Sequence, residues 1–347
     1  MNTPKTKVTI YDVAERANVA ISTVSRVLNN STDVSDATRE RVLVAIRELK
    51  FRPDRTARTL AQQKTHTIAV ALPTFTTPFH TELMKGIRSS LRDRDFDILL
   101  CDLGSTHAQE KLLAFLRRGA VDGILVAGVE LNEQIIQELH HLRAPVILIG
   151  TAHPEFDCYT WDNVSGSMAA VAHLVDNGHR QIAFIRSHND VAFQTGRLLG
   201  YRNALADAGI DYQEDMVVSG RTEKHAGFSE EAGYEAMQTL LRTRPDVTAV
   251  LCGSDVHAIG AWKAVRDAGQ RSPEDIAIVG YDDIKTSAYI GLTSVDQSIQ
   301  RIGYASAALL IRRIDGAEES KRVAVTVRPQ LNIRQTSDWK VVRDEDH

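Results

Sequence analysis

Ser22, Ser25, Arg26 and Asn29 are spaced i, i+3, i+4, i+7, which puts four polar side chains on one face of a helix. Short hydrogen-bonding groups around one guanidinium suit the floor of a DNA major groove. Arg26 can donate two bonds to a guanine edge, and Ser22 can serve a donor or an acceptor edge. Thr9, Tyr11, Thr23, Ser25 and Asn29 suit phosphate oxygens, which position a protein without specifying sequence. Other chemistries have less to work with. Cys101, Cys158 and Cys252 are far apart and odd in number, so neither a disulfide framework nor a CxxC metal site is expected. His140, His141, His153 and Cys158 lack metal-ligand spacing. No GxxxxGK[ST] loop, HExxH or GxSxG motif occurs, so the expectation is no metal, no cofactor and no enzyme.

The polar face needs elements to hold it. Val24, Val27 and Leu28 lie opposite it on a helix spanning about 21–29. Ahead of that, Thr9 and Asp12 fit a capping box, and Ile10, Val13, Ala14 and Ala17 form the stripe of a short amphipathic helix that Asn18 ends. A third helix starts after Ser35, a suitable N-cap, and buries Val42, Ala45, Ile46 and Leu49. Two short helices joined by a tight turn, with a third completing the core, make a helix-turn-helix, whose second helix enters the major groove. A small helical bundle with a solvated face would share the stripe, so charge bears on the choice. The net charge of −4 conceals an asymmetry: residues 1–64 hold 12 Lys+Arg against 7 Asp+Glu, net +5, and the remainder 29 against 38, net −9. A basic segment on an acidic body is a footprint for a polyanion.

At 347 residues the chain exceeds what one hydrophobic core usually supports, and 43% apolar with 25% charged residues is ordinary soluble composition. Apolar runs such as 68–72 and 146–149 fall far short of the ~20 residues of a membrane span. MNTPKTKVT lacks the apolar stretch of a signal peptide, so a cytoplasmic protein without membrane contact is expected. From residue 67 onward, apolar runs at 67–72, 97–101, 123–126 and 146–149 alternate with helical patterns at about 80–95, 107–118 and 132–142. The rhythm restarts with strands at 182–185, 216–218, 249–252 and 277–279 and helices near 164–177, 195–208, 229–242 and 255–268. Two successive α/β sets imply two Rossmann-like lobes with parallel sheets, binding a ligand where the strands end.

Several runs carry a resemblance to a known family. Val8-Thr9-Ile10-Tyr11-Asp12-Val13-Ala14, Val24-Ser25-Arg26-Val27-Leu28-Asn29, Phe51-Arg52-Pro53-Asp54 and Ala57-Arg58-Thr59-Leu60-Ala61 resemble the lactose/galactose repressor (LacI/GalR) family. The body adds Asp162-Asn163, Arg197-x-x-Gly200-Tyr201, Phe228-Ser229, Gly253-Ser254-Asp255, Gly280-Tyr281-Asp282-Asp283 and Thr293-Ser294-Val295 with Gln297, so the likeness covers about 8–335. It implies an all-α helix-turn-helix headpiece (1–52), a hinge helix (53–64) and a periplasmic-binding-protein-like core (65–340). Lobe 1 would hold about 65–162 and 295–325, and lobe 2 about 163–293 and 326–340. In the hinge, Arg55 and Ala57 match positions that touch the minor groove or its backbone, and Leu60 matches the leucine that wedges between base pairs.

Strand-end logic and the resemblance together nominate an effector site. Arg197 resembles a ligand-clamping arginine, Phe228 an aromatic that stacks on the ligand ring, and Asp255 and Asp282 offer acceptors for sugar hydroxyls. Phe75 and Phe79, in the first strand-to-helix loop, and Asp162 complete the set. Two departures stand out. Ala20 replaces the serine common at the start of the recognition helix, and Ile21, beside Ser22 at the operator-reading pair, offers only apolar contact. Thr76-Thr77-Pro78-Phe79-His80 replaces the usual Asn-Pro-Phe-Phe loop. The implied function is a sequence-specific transcriptional repressor acting as a homodimer on pseudo-palindromic double-stranded operator DNA, controlled by a small-molecule effector, a carbohydrate in the first instance. A regulator responding to a purine or nucleoside, and a cytosolic sugar-binding module, stay open as alternatives.

Overall fold

Residues 68–72 alternate between two cores, and that alternation explains the layering of the body. In β1 (Thr67–Leu72), Ile68, Val70 and Leu72 face one buried cluster while Ala69 and Ala71 face another, as strand geometry requires. A strand buried on both faces must be covered by helices on both, so the sheet is parallel and inside. The computed structural model describes residues 8–28, 31–51, 65–104, 107–118, 121–188, 192–316 and 321–338, and the chain divides into two compact units, 1–65 and 66–347.

In the N-terminal unit, α1 (Ile10–Ala17), α2 (Ile21–Leu28) and α3 (Asp36–Leu49) pack around Val13, Val24, Val27, Val42 and Ala45. Asn18 adopts the left-handed conformation and donates its N–H to the carbonyls of Ala14 and Glu15, closing α1 and starting the turn into α2. The Thr9 amide and hydroxyl both donate to Asp12, at 2.7 and 2.8 Å, and hold its carboxyl below the usual range. Ser35 occupies the N-cap of α3, but its hydroxyl donates to Thr38 Oγ1.

The second unit continues through α4 (Pro78–Ser90), β2 (Asp97–Asp102), α5 (Ala108–Leu116), β3 (Gly123–Ala127), α6 (Glu133–His141), β4 (Val146–Ile149) and β5 (Asp157–Trp161). Then come α7 (Asn163–Asp176), β6 (Ile182–Arg186), α8 (Ala192–Asp207), β7 (Val217–Ser219), α9 (Glu230–Thr243), β8 (Ala249–Cys252), α10 (Asp255–Asp267) and β9 (Ala277–Asp282). It ends with α11 (Lys285–Tyr289), β10 (Thr293–Asp296), α12 (Ile299–Ile314), β11 (Ala324–Val327) and β12 (Gln330–Asn332). Among the described residues these strands form two sheets, in the orders β11-β5-β4-β3-β1-β2 and β12-β10-β9-β8-β6-β7. All pairings are parallel except β10 with β12. Each order reverses once, at β1/β3 and at β6/β8, and such switch points leave a crevice at the strands' carboxyl ends.

The lobe boundaries differ from those expected. β10 pairs in parallel with β9 and so extends the second sheet, which makes 297 rather than 295 the point of return to lobe 1. β11 pairs in parallel with β5, placing 324–327 in lobe 1 and leaving only the segment from β12 onward to lobe 2. The chain therefore crosses between lobes at 162, 297–298 and 328–329.

Helix pairs clamp each sheet at close range. α4 and α12 meet across Gly86 and Gly303: a methyl on Gly86 would fall on the carbonyl oxygen of Gln300, and one on Gly303 on that of Leu83. Beside them Glu82 accepts bonds from Lys85 and Gln300, both at 2.6 Å.

Candidate functional site

On α2, Val24 and Val27 are buried, which turns Ile21, Ser22 and Arg26 outward and leaves Thr23 and Ser25 half-buried. Ile21 is 41% exposed, so it lies on the open face and not in the core. Tyr11, 67% exposed, and Thr9 stand at the start of α1. Arg26, Ser22 and Ile21 thus form one exposed polar and apolar surface. Asn29, Arg55, Ala57, Leu60 and the 53–64 hinge lie outside the described residues.

A cavity sits between the carboxyl ends of the two sheets and has a volume of about 470 Å³. Its walls follow from the two switch points. Pro73 and Thr74 after β1 and Gly128 and Val129 after β3 form one side, and Ser254 after β8 with Phe193 and Arg197 after β6 form the other. Trp161 ends β5, Asp282 ends β9, and Gln297 lies in the second crossing.

Arg197 is 4% exposed and tightly held. Its Nε donates to Asn163 Oδ1 at 3.0 Å, Nη1 to the Gly253 carbonyl, and Nη2 lies 3.5 Å from Asp282 Oδ1. The guanidinium rests on the Tyr281 ring, 3.7 Å from its centroid, with Phe193 at 5.0 Å. Gln297 Nε2 donates to the same Asp282 oxygen at 2.6 Å, while the Gln297 backbone carbonyl accepts from Trp161 Nε1 at 2.7 Å. Burial pushes the Asp282 carboxyl up to about 7, against the pull of Arg197 and the Gln297 bond. Two aromatic pairs face the cavity, Phe79 edge-on to Trp161 at 5.8 Å from lobe 1 and Phe193 with Phe228 at 5.6 Å from lobe 2. Burial and the neighbouring His225 pull His80 down to about 4, so its ring is neutral beside Thr77 Oγ1 at 2.6 Å.

Of the seven residues nominated for the effector, Phe79, Arg197, Phe228 and Asp282 line this cavity. The other three do not. Asp255 is fully buried at the first position of α10, and its carboxyl oxygens accept from Ile284 N, Ser287 Oγ and Ser294 Oγ, so it ties a loop and a strand together behind the cavity wall. Burial, with Asp282 nearby, pushes it up to about 8. Asp162 is the N-cap of α7 and accepts from Ser165 N at 3.0 Å. Phe75 is 42% exposed and stands off the cavity in the loop before α4. Trp161 and Phe193 join the lining without a motif that announces them, and His80, in the atypical 76–80 loop, and Gln297 without a role that sequence assigns. Phe193 alone has a signal in the spacing, since it lies four residues before Arg197 on one helix face.

Among the described residues, no group of His, Cys, Asp and Glu could hold a metal ion, and no helix is long and apolar enough to cross a membrane.

A helix-turn-helix unit in one chain with a two-lobed binding core is the make-up of a DNA-binding regulator that answers to a small ligand. A family profile described as "Periplasmic binding proteins and sugar binding domain of LacI family" matches residues 65–333, and one described as "Bacterial regulatory proteins, lacI family" matches residues 9–54. The chain belongs to the LacI family and is an effector-controlled transcriptional regulator. The HTH-type transcriptional regulator CelR of Thermobifida fusca is 35% identical over 339 residues, covering 94% of this chain and 98% of that protein. The HTH-type transcriptional repressor PurR of Erwinia tasmaniensis is 34% identical over 328 residues, covering 91% and 94%. These relatives are regulators and not enzymes. Among solved structures, a CelR–cellobiose complex aligns with a TM-score of 0.68 at 33% identity, and the lac repressor dimer bound to operator and the anti-inducer ONPF with 0.80 at 26%; each covers 95% of this chain and 99% of the other.

Proposed function

We propose that the chain is a cytoplasmic, homodimeric repressor whose operator affinity is set by a sugar held in the interlobe cavity. The observation that carries this reading is the polar set of Arg197, Asn163, Asp282 and Gln297 beside aromatic walls from both lobes, in a cavity of small-ligand size, about 470 Å³. Asp282 accepts from hydroxyls, the Arg197 fork donates to them, and aromatic faces pack on the apolar faces of a pyranose. Asn163 also belongs to the proposed contacts, as do Phe79 and Phe228. The cellobiose in the CelR complex makes a disaccharide the first candidate.

On the DNA side, Arg26 and Ser22 read base edges and Ile21 offers apolar contact. Thr9, Tyr11, Thr23, Ser25 and Asn29 position on phosphates, and Arg55, Ala57 and Leu60 engage the minor groove. A two-fold operator matches a homodimer. The effector regulates by binding the DNA-competent and incompetent states with different affinity.

A thermal-shift screen of mono- and disaccharides, purines and nucleosides tests the effector class. A ligand at 100 times its Kd stabilises by about 2.7 kcal/mol. Stabilisation by a sugar that also changes operator affinity supports the proposal. Stabilisation by a purine or nucleoside alone replaces it with the purine reading, and turnover of a sugar would revive an enzymatic one.

A further inference from the structure

We propose that His257 is a positioning residue for the effector cavity: its buried imidazole holds the turn His225–Ala226–Gly227 in place and, through it, the aromatic wall formed by Phe228. The inference rests on reading the cavity as the effector site.

The turn is unusual backbone. His225 (φ 51°), Ala226 (φ 58°) and Gly227 (φ 83°) are all left-handed in succession. Two of them carry a Cβ, and such residues persist in this region only where their surroundings hold them. Gly227 is required on a second count, because a methyl there would press on His188 Nδ1 and Ser187 Oγ. His225, Ala226 and Phe228 all line the cavity, so whatever fixes the turn also fixes part of the wall.

Two buried side chains fix it. Ser187 Oγ donates to the Ala226 carbonyl at 2.6 Å, and His257 Nε2 donates to the Gly227 carbonyl at 2.6 Å. His257 comes from α10, is fully buried and lies behind the cavity surface. Facing a carbonyl, Nε2 must carry the hydrogen, which leaves Nδ1 as a bare lone pair; among the described residues it has no hydrogen-bond partner. Burial pulls the ring down to about 4, so it is neutral at pH 7. An apolar side chain would fill this space without an unpartnered nitrogen, so the imidazole contributes what an apolar residue lacks, a directed donor. Its ring also stacks on Phe228 at 5.5 Å and 21°. Phe228 meets Phe193 at 5.6 Å, and Phe193 meets the Arg197 guanidinium at 5.0 Å. His257 is the base of a stack that ends at the ligand-clamping arginine.

The test uses the full chain, with His257→Gln keeping a donor without the ring and His257→Phe keeping a ring without the donor. Amide exchange over residues 225–229 is measured without ligand, and cellobiose affinity by calorimetry. Positioning predicts that His257→Phe speeds exchange in 225–229 at least tenfold while the rest of lobe 2 stays protected, and weakens cellobiose at least tenfold. His257→Gln should stay within about threefold of wild type in both. Wild-type exchange in His257→Phe, or equal loss in both variants across all of lobe 2, overturns the proposal. Should wild type not bind cellobiose, the choice of effector fails, and the exchange comparison alone decides on His257. Arg197→Ala separates the two claims further, since it should abolish cellobiose binding without loosening 225–229.

Discussion

Arg197 is engaged by Asn163, Gly253 and Asp282, and these contacts fix the direction of its guanidinium. Arg197→Ala is expected to retain operator binding and lose the effector response; an undiminished ligand-induced change in operator affinity would contradict the assignment. The two buried aspartates make a second prediction. Asp282 and Asp255 are raised to about 7 and 8, so between the ordinary carboxylate range and those values the folded chain holds protons that the unfolded chain has released. Stability then falls as pH rises through that window. His80 and His257, lowered to about 4, act in the opposite sense, but only below about 6.5. Melting temperature should therefore decline from about pH 6.5 to 8.5, and Asp255→Asn should flatten that decline; an unchanged slope would remove Asp255 as its source. The same residue shows where reading from sequence stopped. Asp282 ends β9 and Asp255 follows β8, but which way a side chain turns there depends on the cap. With Ser254 at the N-cap of α10, Asp255 turns back into the fold.

Elements were more legible than side chains, because hydrophobic period survives without knowledge of partners. α1, α2 and the helices foreseen in the body lie within about three residues of their expected ranges, except that α4 ends at Ser90 where about 95 was expected. The expected lobe boundaries cut through β10 and β11, which lie whole in one sheet each, since a short strand's sequence does not say which sheet edge it joins. For α2, Arg26→Ala should cost about 1–3 kcal/mol for each base edge it no longer reads, while leaving the melting temperature unchanged. Operator affinity equal to wild type in a gel-shift titration would remove Arg26 from the groove. For the α4–α12 packing, Gly86→Ala should destabilise by about 1–3 kcal/mol, because backbone and not a flexible side chain lies in the way. A melting temperature equal to wild type would mean that the helices separate freely.

At the scale of the whole molecule, the +5 segment and the −9 remainder divide the electrostatic labour. Operator affinity should fall by several orders of magnitude between about 50 and 200 mM salt if each dimer neutralises six to ten phosphates. A flat salt dependence in fluorescence anisotropy would show that the basic segment does not meet the backbone. The three crossings between lobes carry a different consequence. Lobe 1 receives α12 and β11, and lobe 2 receives β12, only after both earlier halves have been made. During synthesis, neither sheet can acquire its last edge strand until the chain has passed residue 324 for one and 330 for the other. The lobes are neighbours in space but not separate units of inheritance, and neither can be exchanged with a relative by splicing one continuous stretch of gene.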